Sequence, residues 1–87
     1  TLKIVFDDVV ENLKKLLKSG MIHGDLSEFN ILYNDRVVFI DFSQATMTKD
    51  DNAKEYYKRD LVNVFRFFEK KGLKIEKGLK AELEKLV

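Results

Sequence analysis

Ile4, Val5, Phe6, Val9, Val10, Leu13, Leu16 and Leu17 recur at helical spacing, which predicts an amphipathic helix over about residues 4–18, stopped by Gly20 as a C-terminal cap. The pattern then changes. "NILY" and "VVFI" are short runs rich in strand-favouring residues around the tight connection "NDR", so Ile31–Tyr33 and Val37–Ile40 are predicted to pair as a hairpin. The polar stretch "SQATMTKDDN" reads as a linker. From about Ala53 to Lys71 the helical period returns, with Leu61, Val64, Phe65 and Phe68 on one face, a candidate break near Lys58–Asp60, and Gly72 as terminator. A last helix is predicted over roughly Glu76–Val87 from Leu79, Leu83 and Leu86. No internal repeat, low-complexity tract or domain boundary interrupts this order, so residues 1–87 read as one mostly helical α+β domain carrying a small β-hairpin.

Composition narrows the picture. A chain of 87 residues buries only about 60–65% of its extended surface, too little for a large enclosed cleft. With 16 basic and 15 acidic residues the net charge is +1, which gives no overall field toward nucleic acid or a membrane. No apolar run approaches the ~20 residues that span a bilayer, and the N-terminal stretch mixes charge throughout, unlike a signal peptide. The absence of cysteine removes disulfides, thiolate metal sites and thiol nucleophiles, and suits a cytoplasmic location. The chain starts with Thr rather than Met, which suggests a piece of a longer protein or a processed product.

The candidate chemistry lies at the ends of the two strands. In "HGDLSEFNIL" His23, Asp25 and Asn30 precede the first strand, while Asp41 in "VVFIDFSQA" follows the second. Antiparallel neighbours joined by a short turn bring the start of one beside the end of the other, so Asn30 and Asp41 are expected to face one small volume. A carboxylate and an amide oxygen suit magnesium, with manganese as a substitute; such a cation takes one or two protein ligands and completes its shell with water and phosphate. Asp25, five residues before Asn30, is placed to accept a proton from an attacking hydroxyl. The bland reading of all three is turn and cap chemistry, which Asp and Asn also favour.

In order and spacing, Asp25, Asn30 and Asp41 resemble the catalytic loop and metal-binding aspartate of the protein-kinase fold. Gly24 stands where ordinary kinases carry arginine, Ser27 where they carry lysine, and "DFSQA" where they carry "DFG". These departures, with "HGDLSEFNIL", "IDFSQA" and "YKRDLVNVFRFF", resemble the RIO family of atypical kinases, and the last of them its type-one subfamily, over most of Gly20 to Gly72. Only the 17 residues Phe42 to Lys58 separate Asp41 from Arg59, short as in RIO proteins and too few for a long activation segment.

The resemblance implies the C-terminal lobe of a RIO-type serine/threonine kinase or ATPase, acting on ATP with magnesium. Asp25 is then the base, Asn30 and Asp41 hold the metal, and Asp41 is a candidate nucleophile for ATP hydrolysis. Asp60 implies a brace for the catalytic loop, and His23 a structural residue. Ser27 is open between contact with phosphate or substrate and a bond to local backbone, as is Gln44. Phe65, Phe67 and Phe68 read as core rather than a base-stacking platform, and the lysine-rich stretch from Lys70 to Lys85 as a solvated face rather than an RNA contact. The implied partners are a protein substrate or the protein itself and a pre-ribosomal particle of the small subunit. No glycine-rich loop and no strand lysine of the kinase N-terminal lobe is present, so the 87 residues alone are expected to be inactive and to self-associate or pack on a partner chain. An aminoglycoside-type phosphotransferase shares part of the pattern, although "DFSQA" and "RDLVNVFRFF" count against it; a non-catalytic nucleotide-binding module shares all of it.

Overall fold

Helix α1 runs from Leu2 to Lys18 in the computed structural model, which describes residues 1–87. It starts before the apolar pattern does because the Thr1 hydroxyl caps it, accepting the Ile4 N–H at 3.5 Å. Phe6, Val9, Val10 and Leu13 face the core, whereas Ile4 is 59% exposed. Asp8, on the flank of α1, reaches out of the helix: its Oδ2 accepts the Val37 N–H at 2.7 Å and ties α1 to the hairpin.

After Gly20 the chain enters strand β1, Met21–Ile22, and then the loop toward a 3-10 turn over Glu28–Asn30. Strands β2 (Ile31–Tyr33) and β3 (Val37–Phe39) form the hairpin, with Ile31 opposite Phe39, Leu32 opposite Val38 and Tyr33 opposite Val37. Ile40 lies past the end of β3, yet its N–H still bonds the Asn30 carbonyl at 2.9 Å. The inner face puts Val37 in the core with Ile31 and Phe39 packed against it, while Leu32, Val38 and Ile40 are exposed.

The linker is not all loop. Thr46–Met47 form β4, which pairs antiparallel with β1, Met21 opposite Met47 and Ile22 opposite Thr46. Asp50 supports it by accepting from the Thr46 hydroxyl at 2.5 Å and the Met47 N–H at 3.1 Å, and these bonds hold the Asp50 carboxyl below its ordinary value.

Helix α2 spans Ala53–Lys70 without a break at Lys58–Asp60, because Tyr57, Asp60, Leu61 and Val64 follow one another on a single buried face. Phe65 and Phe68 meet Phe6 edge-on, with centroids 5.4 and 5.2 Å apart, and join α2 to α1. Phe67 is partly buried against the same cluster.

Helix α3 covers only Leu79–Glu84, shorter than the Glu76–Val87 expectation. Gly78 sits at φ 87°, a left-handed conformation through which a right-handed helix does not extend. At the other end the Leu86 N–H bonds Leu83 in a tightened last turn, leaving Leu86 52% exposed.

Leu83 is buried, and its carbonyl accepts the Tyr57 hydroxyl at 2.7 Å. Burial, aided by the Glu84 and Asp60 charges, pushes the Tyr57 phenol up to about 12, so it remains a neutral donor. Tyr57→Phe should lower the unfolding free energy by about 1 kcal/mol, the low end for a lost buried bond because the Leu83 carbonyl keeps the Leu86 N–H. Denaturant titration at constant slope would measure it, and no change would show that the bond holds nothing. No helix is long and apolar enough to cross a membrane.

Candidate active site

His23 is fully buried and links the two halves of the site. Its Nε2 lies 2.7 Å from the Ile40 carbonyl, which can only accept, so Nε2 carries the hydrogen. Its Nδ1 is then bare and accepts the Asp25 N–H at 3.2 Å. The ring leans on Phe42, with centroids 4.7 Å apart.

Gly24 is buried at φ 86°, and a Cβ there would overlap the Gln44 carbonyl oxygen. Only glycine allows this approach of the linker to the loop. Gln44 therefore bears on the loop through its backbone, and its side chain is exposed.

Asp60 projects from the buried face of α2 into the loop. Its Oδ2 accepts the Gly24 N–H at 2.8 Å and its Oδ1 the Leu26 N–H at 2.9 Å. Burial pushes this carboxyl above its ordinary value, while the two N–H donors and then the Arg59 charge pull it back. Arg59 donates to the Gly24 carbonyl at 2.8 Å, and Asn63 to the Leu26 carbonyl at 3.2 Å. Residues 59, 60 and 63 share one helix face, which is why the residues on both sides of Asp25, Gly24 and Leu26, are held by a single element.

The Asp25 carboxylate is exposed and accepts no hydrogen bond from the protein, although the backbone on either side of it is bound. Asn30 donates its amide to the Asp25 carbonyl at 2.5 Å, and its Oδ1 accepts no hydrogen bond from the protein. Its own carbonyl bonds Ile40, so Asn30 stands beside the residue that precedes Asp41. Asp41 adopts φ 58°, and its Oδ1 accepts the Ser43 hydroxyl at 2.8 Å and more distantly the Ser43 N–H at 3.4 Å. The second carboxylate oxygen is left without a protein donor.

Ser27 caps the 3-10 turn, its hydroxyl oxygen accepting the Phe29 N–H at 3.2 Å. No group of three or more His, Cys, Asp or Glu side chains gathers as a self-sufficient metal cage. What the loop and hairpin present is a free carboxylate at Asp25 and oxygen donors at Asn30 and Asp41. Ser43 and Asn63 were not singled out by the sequence, and Arg59 stood there only as part of a longer motif.

A loop anchored on a buried helical aspartate, beside a two-stranded hairpin, places the chain in the kinase-like α+β class. The family model for the RIO domain matches residues 1–81, and the chain belongs to that family. RIO-type serine/threonine-protein kinase Rio1 of Thermoplasma acidophilum is 36% identical over 72 residues, 83% of this chain and 39% of that protein. Rio2 of Methanocaldococcus jannaschii is 45% identical over 71 residues, 79% of this chain and 26% of that protein. Relatives of both types thus match.

Two solved structures of the Rio2 kinase from Chaetomium thermophilum are similar at 29% identity. One has a TM-score of 0.81 and covers 100% of this chain and 31% of that one. The other, a complex described as ADP/Mg2+-phosphoaspartate, has a TM-score of 0.79 and covers 99% and 30%. The chain therefore spans well under half of the relatives and structures it matches.

Proposed function

We propose that these residues form the C-terminal lobe of a RIO-type kinase domain and supply the base and metal ligands for transfer of the γ-phosphoryl group of ATP to a serine or threonine hydroxyl. The observation that carries this is the bond set at the loop: Asp60 grips the amides around Asp25, while the Asn30–Ile40 bond brings the amide ligand to the hairpin end that leads into Asp41. Asp25 then accepts the hydroxyl proton as the acceptor oxygen bonds to the γ-phosphorus and the bond to the ADP oxygen breaks.

Asn30 and Asp41 offer oxygen and no nitrogen or sulfur, a donor set that fits magnesium. Bound there, magnesium would neutralise charge on the phosphate oxygens. Ser43 occupies one Asp41 oxygen and so orients the other for that role. The exposed outer face of the hairpin, Leu32, Val38 and Ile40, is the surface on which the rest of a kinase domain and the nucleotide would lie. By family resemblance the setting is cytoplasmic maturation of the small ribosomal subunit.

A second reading is favoured by the phosphoaspartate described for the Chaetomium Rio2 kinase. In it an Asp41 oxygen attacks the γ-phosphorus, ADP departs, and water later cleaves the acyl phosphate, which makes the protein an ATPase.

Calorimetry of ATP binding by the full-length protein, with and without magnesium, tests the assignment alongside phosphate release. Asp41→Asn should weaken magnesium-dependent binding by at least about tenfold and lower turnover with it. Equal magnesium-dependent affinity in the two proteins would remove Asp41 as a ligand.

A further inference from the structure

Gly24, Asp25 and Leu26 lie outside every helix and strand, yet each of their backbone polar groups is bound by a side chain. The N–H groups go to Asp60, His23 and Asp60 again, and the carbonyls to Arg59, Asn30 and Asn63. Grouped by peptide plane, the pattern is more telling. The plane after Asp25 is held at its carbonyl by Asn30 and at its N–H by Asp60. The plane before Asp25 is held at its N–H by His23, at 3.2 Å, and at its carbonyl by Arg59, at 2.8 Å.

Fixing both planes fixes φ and ψ of Asp25, and with them the direction of the Cα–Cβ bond from which its carboxylate extends. On the plane before Asp25 the stronger bond is the one from Arg59, being both shorter and charge-assisted. The guanidinium is itself steadied by the Tyr56 ring one turn earlier on α2, lying 5.0 Å from its centroid. We infer that Arg59 is a positioning residue for Asp25, aiming the base through the Gly24 carbonyl without touching substrate. The inference rests on the assignment of Asp25 as base.

Three variants of the full-length protein test it. Arg59→Met keeps the stem and removes donor and charge, Arg59→Gln keeps a neutral donor, and Arg59→Lys keeps charge and one donor. Arg59→Met should lower kcat by about 10- to 100-fold, the scale of a small misplacement of a reacting group, with nucleotide KM within about twofold. Arg59→Lys should recover most of kcat and Arg59→Gln part of it. Hydrogen exchange at the Asp25 amide, on the plane Arg59 holds, should quicken in Arg59→Met in step with the loss of kcat.

The inference is overturned if kcat is unchanged at temperatures where Arg59→Met is folded, or if KM rises while kcat holds, the sign of direct contact with nucleotide. It is also overturned if Arg59→Gln is no better than Arg59→Met, which would make charge alone the cause. Asp25→Asn in the same assay separates the levels: full activity there removes the base and this inference with it, whereas full activity in the Arg59 variants alone removes only the inference.

Discussion

Asp25→Asn in the full-length protein should lower kcat for phosphoryl transfer by about 10²- to 10⁴-fold, the usual cost of losing one general base. The structure makes this a clean substitution. The Asp25 carboxylate is exposed and accepts no hydrogen bond, so the isosteric amide removes proton affinity without breaking a contact. The bonds that shape the loop use the Asp25 backbone, which the change leaves intact. Thermal midpoint and magnesium-dependent nucleotide affinity should therefore stay as they are, within about twofold for the affinity. Single-turnover measurements with ATP and magnesium would isolate the chemical step. Normal turnover would show that the proton leaves by another route and that Asp25 is not the base, whereas a loss of affinity equal to the loss of rate would place Asp25 in nucleotide binding.

How far the sequence announced this site depends on the range of the interactions involved. Helices α1 and α2 were legible because each carries its own period, the β2–β3 hairpin because two strand-favouring runs flank a tight connection, and the pairing of Asn30 with the strand end before Asp41 follows from hairpin geometry alone. The β1–β4 pair was not legible. Two residues bear no period, and Thr46–Met47 become a strand only through Met21–Ile22 and the local support of Asp50. Helix α3 was overdrawn because its leucine spacing persists past both ends, while the left-handed Gly78 and the tightened turn at Leu86 cut it short. The brace at Asp60 could be named only through the resemblance of "YKRDLVNVFRFF", since nothing in a helical pattern says that a buried acid binds amides 34 and 36 residues away. Asp8, Arg59 and Asn63 were hidden for the same reason: polar residues on helix flanks read as solvated, and here their partners are backbone groups elsewhere in the chain.

Asp60→Ala should lower stability and turnover together, unlike any change at Asp25. Without the carboxylate the Gly24 and Leu26 amides lose their acceptors in a buried setting, at about 1–3 kcal/mol each. Removing a buried charge relieves part of its desolvation, so a net loss of about 3 kcal/mol is expected, several degrees in thermal midpoint. Asp60→Asn keeps one acceptor but points an NH2 group at the other amide, and should fall between wild type and Asp60→Ala. The pH dependence follows from burial, which holds the folded Asp60 carboxyl above its ordinary value. Between the ordinary carboxylate range and that raised value the folded state binds a proton that the unfolded chain has released, so this group's contribution is full at lower pH and declines as pH rises through the window. The stability gap between wild type and Asp60→Ala should accordingly narrow with rising pH there, measured by denaturant titration at each pH. A gap that widened instead would mean that the two amides and Arg59 outweigh burial, and an unchanged midpoint in Asp60→Ala would mean that the loop holding Asp25 does not depend on α2.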